Sequence, residues 1–175
     1  MPDEEKLSSY LTKSKLISNS NYEKKIRIAV LGGFTLNGLE ETIRVKCDEK
    51  KIQCTTYVSG YNQYNQEILD EKSQLYKFSP DITFLIIDCR NVFGELFLNP
   101  YSLSAEERKQ FVQTKSDEII NLAKTLVKKS NSKLILSNFS IPSYSPIGIN
   151  ETKEEFGLHD MVRNLNQNIK IGLRS

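Results

Sequence analysis

The sequence predicts a three-layer α/β/α sandwich around a mostly parallel sheet of five strands. Short apolar runs alternate along the chain with segments whose apolar residues recur every three or four positions. Parallel neighbours in a sheet need crossover connections, and these are almost always right-handed. The expected strand order is therefore 2-1-3-4-5.

The strand assignments depend on the apolar runs. The run from Ile26 to Leu31 is rich in branched side chains and stops at Gly32 and Gly33, which favours a buried strand followed by a tight turn. The run that begins at Ile82 is apolar on both faces, as expected for the centre of a covered sheet. The five predicted strands are 26–31, 52–58, 82–87, 133–138 and the beginning of a strand at 169–173.

Segments between the strands have helical periodicity. Ser104 and Glu107 have the spacing of a capping box, which predicts the start of a long helix that continues to about Lys129. A final helix is predicted over 158–168. Apolar residues at helical spacing also follow the first strand, at Leu36, Leu39, Ile43 and Cys47.

The chain divides into two regions. Residues 1–25 are mostly polar and are predicted to be an N-terminal polar segment or a short docking helix. Four of their apolar residues could share one helical stripe: Leu7, Tyr10, Leu11 and Ile17. Residues 26–175 are predicted to form one α/β domain, since domains usually have roughly 100 to 200 residues.

Charge and hydropathy exclude several classes of partner. The chain has 24 basic and 22 acidic residues, a formal net charge of +2, and no dense basic cluster that would favour nucleic acid. Its apolar runs are too short to span a membrane, and its charged start is unlike a secretion signal. We therefore expect a soluble, cytoplasmic protein without nucleic-acid or membrane partners.

The cysteines do not favour a metal site. Cys47, Cys54 and Cys89 form no CxxC pair, and His159 is the one histidine of the chain. We expect free thiols in a reducing compartment, and neither a metal nor a cofactor.

Five short motifs resemble those of a known family. They are Leu31-Gly32-Gly33-Phe34-Thr35-Leu36, Gln63-Tyr64-Asn65-Gln66-Glu67-Ile68-Leu69, Ser73-Gln74-Leu75-Tyr76, Pro80-Asp81 and Leu165-Asn166. Together they resemble the amino-terminal domain of FkbH-like proteins over most of residues 1–173. The resemblance implies an SGNH-hydrolase-like fold with the flavodoxin-like strand order 2-1-3-4-5.

The resemblance also implies a context for the domain. In FkbH-like proteins the SGNH-like domain precedes a haloacid-dehalogenase-type (HAD-type) domain. In the polyketide biosynthesis branch, the family moves a glyceryl group from a phosphoglycerate to an acyl carrier protein. The sequence stops before any Asp-x-Asp-x-Thr motif of a second domain. We therefore expect this chain to lack the carboxyl end of the SGNH-like domain, the HAD-type domain and its phosphoryl chemistry.

The hydrolase machinery of the SGNH superfamily is incomplete in this sequence. The superfamily places a nucleophilic serine after the first strand, and an Asp-x-x-His pair takes its proton. Here Gly32-Gly33-Phe34 aligns without a serine, and His159-Asp160 has the wrong order. Gly60 and Asn91 follow the second and third strands, where the superfamily has its oxyanion donors.

We therefore expect a non-catalytic or weakly catalytic binding and docking domain of an FkbH-type biosynthetic protein. Its expected partners are a HAD-type domain or protein, an acyl carrier protein and a small acyl ligand. The predicted ligand cleft is lined by Gly33, Thr35, Gly60, Asp88 and Asn91, with Gln63 and Tyr64 at its rim.

Two alternatives remain open from the sequence. One is a small esterase or acyltransferase that uses Thr35 or Cys89 as its nucleophile, although loss of a nucleophile or its base typically costs several powers of ten in rate. The other is an assembly module whose cleft is filled by its own side chains.

Overall fold

A computed structural model describes residues 6–17 and 22–174, so the predictions for 1–5, 18–21 and Ser175 lie outside the described residues. Within the described part, the sheet has four parallel strands in the order β2-β1-β3-β4. The strands are β1 (Lys24–Gly32), β2 (Ile52–Val58), β3 (Ile82–Ile86) and β4 (Lys133–Leu136).

The α/β class and the order of the first four strands confirm the prediction, but the predicted fifth strand is wrong. Residues 169–172 belong to the final helix. The alternation of Ile169, Lys170 and Ile171 imitates a strand, yet Ile169 is buried as the last residue of a helical stripe. That stripe begins at Leu158 and continues through Met161, Val162 and Leu165 at the spacing of a helix.

Helices cover both faces of the sheet. The described part of the chain contains α1 (Leu7–Leu16), α2 (Leu39–Asp48), α3 (Tyr64–Leu69), α4 (Gln74–Phe78), α5 (Cys89–Phe93), α6 (Ala105–Lys129) and α7 (Leu158–Gly172). Three short 3-10 helices lie at 94–97, 100–102 and 148–153. Helix α1, predicted as a docking helix, packs on α2, and α2 packs on β2.

The main core lies on the opposite face of the sheet. Ala29 and Leu31 of β1 belong to the large buried cluster that also contains residues of α3, α6 and α7. Ile28 and Val30 are buried as well but do not belong to that cluster. Because successive strand residues point to opposite faces, β1 is covered on both sides and is the centre of the fold.

Helix α6 begins as the sequence predicts. The Ser104 hydroxyl accepts a hydrogen bond from the Glu107 amide at 3.3 Å, and the Glu107 carboxylate accepts one from the Ser104 amide at 2.8 Å. This capping box satisfies two backbone donors that the first turn leaves unpaired. The helix ends at Lys129, the position that the sequence suggested.

Across residues 6–17 and 22–174, none of the helices combines the length and the apolar character that a bilayer crossing requires.

Candidate functional site

The turn after β1 is closed by an asparagine. The buried Gly33 amide donates to the carbonyl of Ile86 at 3.0 Å, and the side-chain amide of Asn91 donates to the carbonyl of Gly33. A Cβ atom at position 33 would lie 2.8 Å from Asn91 Nδ2, so a larger residue would have to displace the Asn91 side chain. One of the two N–H donors of the Asn91 amide is therefore engaged with the turn.

Phe34 separates two concave surfaces at the carboxyl end of the sheet. One, the β1–β2 hollow, has a volume of about 390 Å³ and is lined by Leu7, Leu11, Phe34, Thr35, Leu36, Asn37, Gly38, Glu40, Glu41, Val58, Ser59 and Tyr61. The other, the β3–β4 cleft, has a volume of about 400 Å³ and is lined by Phe34, Ile86, Ile87, Asp88, Cys89, Arg90, Phe97, Ser137, Asn138, Ser140, Ile141, Pro142, Ser143 and Tyr144. Phe34 is 38% exposed and lines both surfaces.

Thr35 lies in the β1–β2 hollow, away from any imidazole. It is exposed, and the hollow contains the carboxylates of Glu40 and Glu41 but no histidine. The one histidine of the chain, His159, lies at the start of α7, with its Nε2 atom 3.4 Å from the carbonyl oxygen of Tyr144. The hydroxyl of Thr35 therefore has no histidine base, and an uncharged hydroxyl without a base is a weak nucleophile.

Cys89 lies in the β3–β4 cleft as an unreactive thiol. Its side chain is buried, and burial together with the neighbouring charge of Asp88 raises the pKa of the thiol to about 12. The nucleophilic form of cysteine is the thiolate, which such a pKa suppresses at neutral pH. The carboxylate of Asp88 accepts a hydrogen bond from the Arg90 amide at 2.6 Å and so caps the short helix α5.

Arg90 gives the β3–β4 cleft a cation. Its guanidinium carbon lies 5.3 Å from the centre of the Phe97 ring, an arrangement typical of a cation–π interaction. Within the described residues, the guanidinium makes no hydrogen bond or ion pair. Its N–H donors are therefore available at the surface of the cleft.

Ser137 also lines the β3–β4 cleft. The residue follows β4, and its amide continues the sheet by donating to the carbonyl of Leu85 at 3.1 Å. Its Oγ atom is buried. Among the buried side-chain oxygens and nitrogens of the described residues, this atom alone lacks a hydrogen-bond partner. A buried hydroxyl without a partner is destabilising, so a functional explanation is worth seeking.

The wall of the β3–β4 cleft is fixed to α7 by an asparagine. The Oδ1 atom of Asn166 accepts a hydrogen bond from the Phe139 amide at 2.8 Å, and Nδ2 donates to the Phe139 carbonyl at 2.8 Å. Both backbone groups of one loop residue are thus satisfied by one side chain. This contact gives a structural reason for the Leu165-Asn166 motif.

A buried glutamate fixes the far part of the same loop. Glu151 is 8% exposed and accepts hydrogen bonds from the hydroxyls of Tyr101 and Ser145 and, at 2.8 Å, from the His159 amide. Burial alone would raise the pKa of Glu151, but these donors together hold it below its ordinary value. The carboxylate of Glu151 therefore anchors this part of the loop between β4 and α7.

Arg108 of α6 completes this anchoring. It is 4% exposed and donates to the carbonyls of Leu103, Phe156 and Glu155 at 2.6, 3.0 and 2.7 Å. Two carbonyls at the end of the loop and one just before α6 therefore depend on one side chain.

The remaining predicted residues lie after β2. Gly60 is exposed, and a Cβ atom there would lie 2.4 Å from the side-chain oxygen of Gln63. The backbone amide of Gln63 donates to the Gly60 carbonyl at 3.2 Å. Tyr64 does not lie at a rim, because α3 begins at this residue and directs the ring into the core, where 8% of the residue is exposed. Burial raises the pKa of its hydroxyl.

The predicted single cleft is therefore divided between several places. Thr35 lines the hollow and Asp88 lines the cleft, while Gly33 and Asn91 are joined to each other and line neither. Sequence reasoning left Arg90, Ser137, Asn138, Glu151 and Asn166 out of the predicted site. Ser137 and Asn138 could have been found, because a strand that ended two residues earlier would have placed them at the carboxyl edge of the sheet.

Comparison with known proteins was informative for the family and the fold. The family model described as FkbH, N-terminal domain, matches residues 27–172. A solved structure, the N-terminal part of the protein BF1531 from Bacteroides fragilis, is described as containing a phosphatase domain and as complexed with Mg. It is similar with a TM-score of 0.75 at 16% identity, over 95% of this chain and 42% of that chain. The chain thus spans less than half of that structure, and the comparison with curated proteins gave no match.

Proposed function

The chain belongs to the family of FkbH amino-terminal domains, and on that basis we propose that it is a non-catalytic, SGNH-like binding and docking domain of an FkbH-type biosynthetic protein. In this proposal it acts together with a HAD-type domain and an acyl carrier protein, as in polyketide biosynthesis. A cytoplasmic location is part of the proposal and is supported by the free thiols of Cys47, Cys54 and Cys89.

The observation that carries the proposal is the turn after β1. A buried glycine and a phenyl ring occupy the position at which an SGNH hydrolase needs its serine. The two substitutes are poor, since Thr35 has no histidine base in its hollow and the thiol of Cys89 has a pKa of about 12. A concave surface without a nucleophile can still bind a ligand.

A docking surface is available beside β4. This strand pairs with β3 along one edge, and the described residues provide no strand for its other edge. Exposed apolar side chains flank this edge on both faces of the sheet. Val127, 56% exposed, and Leu173, 39% exposed, lie beside Leu134 and Leu136 on one face, whereas Ile135, 45% exposed, points to the other. The similar structure is described as containing a phosphatase domain and is much longer than this chain, which supports a HAD-type domain as the occupant.

Hydrolysis assays test the non-catalytic part of the proposal. Purified protein should give no turnover of short p-nitrophenyl esters above background, and Thr35→Ala and Cys89→Ser should behave like the parent. Turnover that either substitution abolishes would establish the esterase or acyltransferase alternative instead.

Binding assays test the docking part. A purified HAD-type domain from an FkbH-like protein should bind the chain, and Ile135→Asp should weaken that binding by about tenfold or more because a buried carboxylate is costly. Ile149→Asp is the matched control, since Ile149 is 91% exposed in the 3-10 helix 148–153 and its change should have no effect. Equal binding by both variants, or no binding by the parent, would contradict docking at β4.

A further inference from the structure

We propose that the β3–β4 cleft binds a small organic acid, with the carboxylate on the guanidinium of Arg90 and a second oxygen of the ligand on the hydroxyl of Ser137. This inference depends on the proposed binding role and adds to it a site and a ligand class. It is independent of the docking surface beside β4.

The first argument is the state of Arg90. A guanidinium presents N–H groups in a planar fork that matches the two oxygens of a carboxylate. The side chain is held against Phe97 at 5.3 Å, yet none of its donors is used by a described residue. An exposed cation with unused donors at the carboxyl ends of parallel strands is suited to an anionic ligand.

The second argument is the unpaired hydroxyl of Ser137. Buried hydroxyls in native proteins almost always have a hydrogen-bond partner, and this one has none among the described residues. Ser137 lines the same cleft as Arg90. An oxygen acceptor on a ligand would satisfy its proton, while the guanidinium neutralises the carboxylate.

The third argument concerns the size and polarity of the ligand. Between the polar groups, the cleft has apolar walls that include Phe34, Phe97, Ile141 and Pro142. Inorganic phosphate would leave these walls in contact with water, whereas a short carbon chain would cover them. The volume of about 400 Å³ is in the range typical of small-molecule sites.

The negative charge of Asp88 should weaken the binding of an anion, so a substitution that removes this charge tests the proposal. Its carboxylate lines the cleft and is half-buried, with one oxygen on the Arg90 amide at 2.6 Å. A negative charge there should repel an anion. Asp88→Asn keeps an oxygen acceptor for the helix cap and removes the charge, so it should tighten the binding of a carboxylate.

Saturation-transfer NMR with defined probes tests the proposal on the full chain. Butanoate and 3-hydroxybutanoate should bind, while butanamide, the neutral analogue of butanoate, and inorganic phosphate should bind much more weakly. Arg90→Gln should weaken butanoate by at least about tenfold, because hydrogen bonds to charged groups are strong. Arg163→Gln is the matched control, since Arg163 pairs with Asp160 on the outside of α7 and should not affect binding.

Ser137→Ala tests the second contact. The parent should bind 3-hydroxybutanoate more tightly than butanoate, and Ser137→Ala should remove this preference while keeping the affinity for butanoate. Persistence of the preference in Ser137→Ala would refute the assignment of the hydroxyl.

The proposal would be overturned if no carboxylate probe saturated, if phosphate bound and the carboxylates did not, or if Arg90→Gln bound like the parent. Such a failure is distinguishable from failure of the proposed function. Ester turnover, or the absence of binding to a HAD-type domain, would defeat the proposed function. Docking without binding of an acid would defeat this inference alone.

Discussion

The two concave surfaces that meet at Phe34 are built in different ways. The β1–β2 hollow is walled by α1, whose residues Leu7 and Leu11 are 50% and 38% exposed and whose first turn has no side-chain cap. The β3–β4 cleft is walled by a loop that Glu151 and Asn166 fix through hydrogen bonds to backbone and side-chain groups. One wall is thus a lightly packed helix and the other an anchored loop.

This difference indicates where a preorganised site can lie. A small ligand is bound well when the groups that contact it are held in place by a second set of interactions. The cleft meets this condition because its loop is anchored. The hollow lacks such an anchored wall and is lined by two glutamates and exposed apolar groups. Thr35, which the sequence offered as a nucleophile, therefore lies on the less organised side.

The most damaging change to the anchored side should be Arg108→Met. Methionine fills much of the volume but leaves three backbone carbonyls without their donor, which should cost about 3 kcal/mol or more of unfolding free energy. Urea denaturation measures this loss. Arg163→Met removes an exposed arginine and should stay within about 0.5 kcal/mol of the parent, and a similar loss in both variants would show that the anchoring is unimportant.

Glu151→Gln should have an intermediate, pH-dependent effect. At pH 7 we expect a loss of about 1–3 kcal/mol, since the neutral amide accepts hydrogen bonds more weakly than the carboxylate. The native pKa of Glu151 lies below its ordinary value of 4.5, so its stabilisation is present above pH 4.5 and is lost as the pH falls through the native pKa.

The difference between Glu151→Gln and the parent should therefore shrink in acid, as urea denaturation across pH 3–7 would show. Glu118→Gln, which alters an exposed pair with Lys115, should change stability by less than about 0.5 kcal/mol at every pH. A pH-independent difference for Glu151 would contradict the charged anchor.

Gly38→Ala should disturb the hollow and spare the cleft. Gly38 has φ of +81°, and a Cβ atom there would lie 2.4 Å from a methyl carbon of Leu7, so we expect a loss of about 1–2 kcal/mol and faster amide exchange in α1. Gly148→Ala is the control, because Gly148 also has positive φ, +58°, but no atom within 4 Å of the added Cβ. Equal exchange in α1 for both variants would contradict the contact with Leu7.

The smallest effect should come from Ser137→Ala without ligand. Removal of an unpaired buried hydroxyl should leave stability unchanged or raise it by up to about 1 kcal/mol. Ser132→Ala should instead lower stability by about 1 kcal/mol, because the buried hydroxyls of Ser132 and Thr83 are hydrogen-bonded at 2.7 Å and the change leaves Thr83 unpaired. Thermal unfolding would detect the opposite signs, and a loss for Ser137→Ala would show that its hydroxyl is already satisfied.

The fold was largely predictable because its strands and long helices bury regular apolar stripes. The segment 52–58 and the capping box at Ser104 are found where the sequence placed them. The error at 169–173 came from a stretch in which strand and helix patterns coincide. Burial of Ile169 with the preceding turns of α7 decides between them, and this is a tertiary effect.

The candidate site was less predictable because its residues come from distant parts of the chain. The residues after β3 were predictable, since parallel strands direct their carboxyl ends to one edge. Tyr64 was misplaced because α3 starts earlier than its turn-like sequence suggests. Glu151 lies in a 3-10 helix of six residues, which is too short for a periodic pattern to mark a buried residue, so only the packed structure reveals its partners.

The double hydrogen bond between Asn166 and Phe139 couples the cleft to the far end of the chain. A displacement of α7 would carry Phe139 with it and change the width of the opening. Occupancy of the cleft and attachment of a protein to the outer side of α7 would then be thermodynamically linked, and each event would alter the affinity of the other by the same factor.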